Sequence, residues 1–231
     1  MKPVTLGKAG AQRPRTVGVI ASAEDLAAAR RLRRLPDLFE LRLDALCSDL
    51  AAIEAVIGSL GVPLIITARH PAEGGANELT AADRRALLLQ FLPHAHFVDV
   101  ELRAVAALDV VLREAAQRRV TRIISVHNFR RTPSGAQLAQ LAERASAAPA
   151  DILKLATRVD SSADLTRLVA AFEILKAQLP AVSAMGVGAL GRESRRELIA
   201  RGSVLNYAHL GTAQVDGQFS LPELRRLMRR R

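Results

Sequence analysis

Cysteine is nearly absent from this chain of 231 residues: Cys47 stands alone. An internal disulfide framework and any cysteine-built zinc site are thereby excluded. Tryptophan is missing, tyrosine occurs once, and aromatic residues make up 3% of the sequence. That is poor material for stacking nucleic-acid bases, despite a formal net charge of +10 and a sequence pI near 11.1. No uncharged apolar run reaches the ~18 residues of a membrane-spanning helix, and the N-terminus lacks the apolar core of a signal peptide. The expectation is a soluble cytoplasmic protein without nucleic-acid or membrane partners. Lysine is the most telling scarcity. Of 33 basic residues, only Lys2, Lys8, Lys154 and Lys176 are lysines.

What the chain does have is apolar mass, with 49% hydrophobic residues. That is enough for a substantial core. The arginines are spread over its whole length, and their excess suits a small anionic substrate at least as well as a polyanion. The arginine-rich tail from Arg225 to Arg231 reads as a solvated helix end whose cations meet the helix dipole. Residues 1–15 are basic and rich in Gly and Pro, and they read as an arm or short hairpin. From Thr16 onward, short apolar runs alternate with amphipathic stretches. The strand-like runs are Thr16–Ala21, Leu38–Leu43, Pro63–Arg69, Phe97–Leu102, Thr121–His127, Asp151–Ala156, Ala181–Met185 and Ser203–Ala208. The helical stretches are Ala23–Leu35, Leu50–Leu60, Ala81–Leu92, Val105–Arg118, Ala136–Ala147, Ser162–Leu179, Ser194–Ala200 and Leu221–Arg230. Alternation of this kind argues for a parallel α/β sheet. Eight such units predict a single-domain (β/α)8 TIM barrel over residues 16–231. An open doubly wound sheet is disfavoured because no Gly-rich phosphate turn follows the first strand.

Neighbouring side chains on a strand point to opposite faces. Phe39, Leu41 and Leu43 therefore share one face, while Glu40, Arg42 and Asp44 share the other. The same alternation sets Thr67 and Arg69 against Ile66 and Ala68, and Asp99 and Glu101 against Val98 and Val100. Ser125 and His127 oppose Ile124 and Val126, and Lys154 opposes Leu153 and Leu155. Any one of these polar residues could be structural; Asp99 and Glu101 read best as neutralisers of neighbouring cations. Five strands with charges on the same side are costly to bury unless a ligand is served. A desolvated lysine crowded by Arg42 and Arg69 is pushed toward its neutral, nucleophilic form. Lys154 could then form an imine with a ketone, His127 could move a proton, and arginines could grip a carboxylate. The pattern points to a lyase or aldolase of the imine type, needing neither metal nor cofactor, acting on an anionic keto compound.

The residues that carry this chemistry resemble those of type I 3-dehydroquinate dehydratases. The matching motifs are Glu40-x-Arg42-x-Asp44, Thr67-x-Arg69 with Glu73-Gly74-Gly75, Asp99-x-Glu101, Ser125-x-His127-Asn128-Phe129 and Asp151-x-x-Lys154. Met185-Gly186, Ser194-Arg195, Gly202-Ser203 and Gly217-Gln218 extend the match to the C-terminal part. The resemblance implies that Lys154 forms an imine with the C3 ketone of 3-dehydroquinate. His127 would remove the C2 proton and help the C1 hydroxyl leave, and Glu73 would orient His127. Arg195 would pair with the substrate carboxylate, Glu40, Arg42 and Arg69 would hold the hydroxyl and ketone side of the ring, and Gln218 would close over the carboxylate. It further implies a place in the shikimate pathway towards chorismate and the aromatic amino acids, and leaves self-association as a homodimer open. Two departures stand out. Gln214-Val215-Asp216 replaces a Ser-Ala-Pro-like segment before Gly217-Gln218, and Asn128 stands where Asp is common. Another class I aldolase, a basic nucleic-acid binder and a catalytically silent relative fit these motifs less well.

Overall fold

The computed structural model describes residues 13–48 and 50–229. Every expected strand is present: β1 Arg15–Ile20, β2 Leu38–Arg42, β3 Leu64–Thr67, β4 Phe97–Glu101, β5 Thr121–Asn128, β6 Ile152–Arg158, β7 Val182–Val187 and β8 Leu205–His209. Each is followed by a helix: α1 Ala23–Arg30, α2 Leu50–Ile57, α3 Ala81–Phe91, α4 Asp109–Gln117, α5 Gly135–Ala147, α6 Ser162–Gln178, α7 Gly191–Arg201 and α8 Leu221–Arg229. Side chains at the entrances set the helix starts. Ser22, Thr80, Ser134 and Ser161 each accept a backbone N–H from the first turn of α1, α3, α5 and α6.

The differences from the sequence expectation lie at element ends. Helix α1 stops at Arg30 rather than Leu35. Continuation would have stacked Arg30, Arg31, Arg33 and Arg34 at mutually repelling helical spacings, and Pro36 disfavours helical backbone at Leu35. Helix α4 begins at Asp109 rather than Val105, because residues Leu102–Ala104 form a tight 3-10 turn. Helix α7 begins at Gly191, one turn ahead of Ser194. A two-residue strand, β9 Phe219–Ser220, was not expected. The expected arm falls largely on residues 1–12, outside the described residues. Arg15 already belongs to β1, and Arg13 pairs with Asp37 at 2.6 Å.

The strands form one parallel sheet in the order β7-β6-β5-β4-β3-β2-β1-β8-β9. Because β1 pairs with β2 on one side and with β8 on the other, the sheet curls back on itself. The protein is thus a single-domain α/β barrel of TIM type. The seam between β7 and β8 is closed differently from the other pairs. Val204 N–H donates to Val182 O at 3.1 Å, Ser183 Oγ donates to Leu205 O at 2.6 Å, and Ala184 N–H donates to Ser203 Oγ at 3.0 Å.

Strand alternation then sorts the side chains. Phe39, Leu41, Ile66, Val98 and Ile124 face the helices together with Leu88, Phe91 and Leu112. Leu153 and Leu155 face out in the same way, against Leu168 and Phe172. Inside, each strand begins apolar and turns polar. Leu38, Ile65, Phe97, Ile123 and Ile152 form an apolar floor. The next inward positions up the same strands are Glu40, Thr67, Asp99, Ser125 and Lys154, all buried. The floor keeps water out from below, so chemistry is confined to the C-terminal ends of the strands.

Candidate active site

Above this floor lies a cavity of about 680 Å³, lined by Glu40, Arg42, Arg69, Glu73, His127, Lys154, Arg195 and Gln218 among others. All eight residues singled out in the sequence therefore border one space. Strands β2, β5 and β6, helix α7 and the loops after β3 and before β9 bring them there.

Lys154, at the centre of β6, is 3% exposed. Its Nζ lies 2.6 Å from Asp99 Oδ2 and 3.5 Å from Glu40 Oε1, and 4.3 Å from the centre of the Tyr207 ring. Here the structure corrects the sequence reading. Carboxylates, not foreseen as its partners, contact this amine directly. Of the two guanidinium groups expected beside it, Arg69 stays close and shares Asp99 Oδ2 with it, while Arg42 is turned away. Arg42 holds Asp44 through two hydrogen bonds, at 3.0 and 2.8 Å, and also donates to Gly74 O. Arg69 makes a two-point contact with Asp99, at 3.1 and 2.9 Å, and reaches Glu101 at 2.9 Å and Ser125 Oγ at 2.8 Å. Burial works against a charge on Asp99, but Arg69 and Lys154 together outweigh it and hold its carboxyl well below the usual range. Burial likewise opposes the Arg69 charge, and Asp99 and Glu101 override it. Asp99 thus faces two cations, Arg69 and Lys154, in the neutralising position expected of it. Glu101 is shared between Arg69 and the buried Arg84 of α3, a partner that sequence reading missed.

His127 ends the inward face of β5 and meets Glu73 from the loop after β3. Its backbone N–H donates to Glu73 Oε2 at 2.9 Å, and Nδ1 lies 3.0 Å from the same oxygen. Burial, followed by the Arg69 and Lys154 charges, pushes His127 well below its ordinary range. Burial pushes Glu73 up to about 7, against the pull of the His127 N–H. Burial thus works against charge on both members of the pair. The Glu73 loop depends on glycine. A Cβ on Gly75 would lie 2.5 Å from Arg69 O, and Gly74 has φ +86° with Phe129 against the place of its missing side chain. Asp44 ties the same loop down by accepting from the N–H groups of Arg69 and Ala76, both at 3.0 Å.

Arg195, on α7, is 5% exposed and has no carboxylate partner among the described residues. Its Nε donates to Gly186 O at 3.0 Å and its Nη1 to Tyr207 O at 3.3 Å. Burial lowers it to about 10. A buried cation without a counterion is held at a cost, which an anionic ligand would relieve. Gln218 is also buried and lines the same cavity. Gln218 Oε1 accepts from Gln214 N at 2.9 Å, and Gln218 N donates to Val215 O at 3.2 Å. The Gln214-Val215-Asp216 segment therefore folds into a tight turn. Asp216 has an exposed side chain, while its carbonyl accepts from Gly188 N at 3.2 Å. Tyr207 is the cavity residue that sequence reading passed over. The alternation Leu205-Asn206-Tyr207 on β8 was the available signal, since it puts Tyr207 on the same face as the apolar floor.

A comparison with known proteins agrees with the motifs. The family model for type I 3-dehydroquinase matches residues 17–231. A 3-dehydroquinate dehydratase of Methanocella arvoryzae is 33% identical over 213 residues, covering 91% of this chain and 94% of that protein. One from Methanosarcina barkeri is 32% identical, covering 97% and 98% respectively. The crystal structure of the 3-dehydroquinate dehydratase of Geobacillus kaustophilus superposes with a TM-score of 0.84 at 26% identity, over 94% of this chain and 90% of that one. With nearly the whole barrel matched, and with lysine, histidine and arginine converging on one cavity, this chain belongs to the type I 3-dehydroquinase family.

Proposed function

We propose that the protein converts 3-dehydroquinate into 3-dehydroshikimate through an imine on Lys154, with His127 moving the protons. As a member of its family it is a dehydratase, a carbon–oxygen lyase. The observation that carries the finer reading is the shared cavity: a buried amine, a histidine kept near neutral and a cation without a counterion all face it.

Asp99 accepts a hydrogen bond from Lys154 Nζ at 2.6 Å and holds it in position for the attack. Ketone and ammonium give a protonated imine and water, so this step needs no net acid or base. The C3 iminium draws electron density from the adjacent carbon. His127, with Nδ1 facing Glu73, presents Nε2 to the cavity and takes the C2 proton. The resulting enamine expels the C1 hydroxyl, which leaves as water with the proton that His127 returns. Hydrolysis of the conjugated imine then frees the enone and restores Lys154. Arg195 supplies the grip on the C1 carboxylate, and Gln218 covers it from the closing loop. Glu40 and Arg42 border the hydroxyl-bearing side of the ring, and Arg69 fixes Asp99.

The test is ultraviolet absorbance of the enone product, with 3-dehydroquinate as substrate. Wild-type protein should turn over. Arg195→Met should raise KM by about 100-fold, as expected for losing charge-assisted hydrogen bonds of about 1.5–3 kcal/mol each, with a smaller effect on kcat. Absence of enone in the wild type, or an unchanged KM in the variant, would count against the reading.

A further inference from the structure

Tyr207 carries a hydroxyl that the folded chain does not use. The residue is 5% exposed, and its Oη is the buried side-chain polar atom left without a hydrogen-bond partner among the described residues. Buried polar groups are nearly always paired, so an orphan in a native site calls for an acceptor that arrives later. The carboxylate oxygens nearby already have other partners at Asp99 and at Glu40 Oε1. Asp99 is taken by Lys154, Arg69 and Ser125, and Glu40 accepts from Thr67 Oγ1 at 2.8 Å. Packing does not explain the hydroxyl either, because a phenylalanine ring would serve equally well for the contact beneath Lys154. The residue borders the cavity, its ring centre lies 4.3 Å from Lys154 Nζ, and its own carbonyl accepts from Arg195. Its ring therefore lies beside the nucleophile, while its backbone helps hold the cation that would seat the carboxylate.

Resting on the imine reading above, we propose that the Tyr207 hydroxyl donates a hydrogen bond to the oxygen of the substrate's C3 ketone while Lys154 attacks, making Tyr207 a catalytic residue of imine formation. The C3–N bond forms as the C=O π pair moves onto that oxygen. Two protons of the ammonium end on the oxygen, the C3–O bond breaks with its electron pair, and water departs. Tyr207 keeps its own proton throughout. Burial, then the nearby Glu40 and Asp99 charges, holds the phenol well above its ordinary range and leaves it a firm donor. In the reverse sense the same hydrogen bond would orient the water that hydrolyses the product imine.

Tyr207→Phe removes this hydroxyl and keeps the ring. Rapid-quench borohydride trapping with 3-dehydroquinate should show the Lys154 adduct forming about 100-fold more slowly than in wild type, the usual loss for one preorganised donor at a developing oxyanion. With imine formation now slower than proton abstraction, the C2-deuterium isotope effect on kcat/KM should fall towards one. Adduct formation at the wild-type rate with an unaltered isotope effect would overturn the role of Tyr207 and leave the imine intact. Absence of any Lys154 adduct in wild-type protein would overturn both.

Discussion

Glu73 and His127 share one proton position, and the pH dependence of the enzyme should belong to the pair rather than to either residue. Between them they bind a proton near pH 7, the value to which burial lifts Glu73. Proton abstraction needs the deprotonated pair, so kcat/KM should rise as pH increases through about 7. Glu73→Gln leaves His127 alone with its depressed affinity for protons. The rising limb should then move to lower pH, with a reduced plateau because the imidazole is no longer held by a carboxylate. A pH profile of kcat/KM for both proteins checks this, and an unmoved limb would contradict the coupling. Much at this scale was legible in the sequence. Lys154 stood out because a chain this short of lysine placed one inside an apolar strand, and strand parity put Glu40, Arg42, Arg69 and His127 on the same side. The partner of each charge was not legible. Parity names the face but not the neighbour across the barrel, so the carboxylates that contact the amine, with Arg69 beyond them, could not be read in advance.

Among the elements, the loop from His70 to Ala76 carries the heaviest demand, since it delivers Glu73 to a strand two positions away in the sheet. It is pinned by Asp44 below and shaped by two glycines, one of which has the Arg69 carbonyl where a side chain would begin. Gly75→Ala should therefore shift the loop and lower stability by about 2 kcal/mol, the range for enforced backbone strain. The activity loss should exceed what that instability explains, because Glu73 leaves His127. Thermal unfolding and kcat measured together separate the two effects; wild-type kcat in a folded variant would contradict them. The Glu73-Gly74-Gly75 motif announced this loop in the sequence. The ends of α1 and α4 were harder to read. There, repulsion among arginines and a 3-10 turn decided the boundary against a helical pattern that ran on. The two-residue β9 had no signal, since it forms only because the chain returns beside β8.

For the whole molecule, the eightfold alternation made the barrel plain, but not how it closes. The β7–β8 seam rests on the hydroxyls of Ser183 and Ser203, and Ser203 Oγ both accepts from Ala184 N and donates to Ala184 O, at 3.0 and 3.2 Å. Ser203→Ala would leave a buried N–H unpaired, at about 2 kcal/mol. For a domain of this size that lowers Tm by roughly 4–8 °C, and calorimetry would show whether the seam is that weak point or whether Tm stays put. The closed barrel, with its apolar floor, leaves one amine dry, held by carboxylates and open to a single cavity. The most direct test of its role is peptide mass mapping after sodium borohydride is added in the presence of 3-dehydroquinate. The expected result is one reduced substrate adduct on the peptide containing Lys154, and none when substrate is omitted. An active enzyme whose Lys154 peptide stays unmodified would contradict the account.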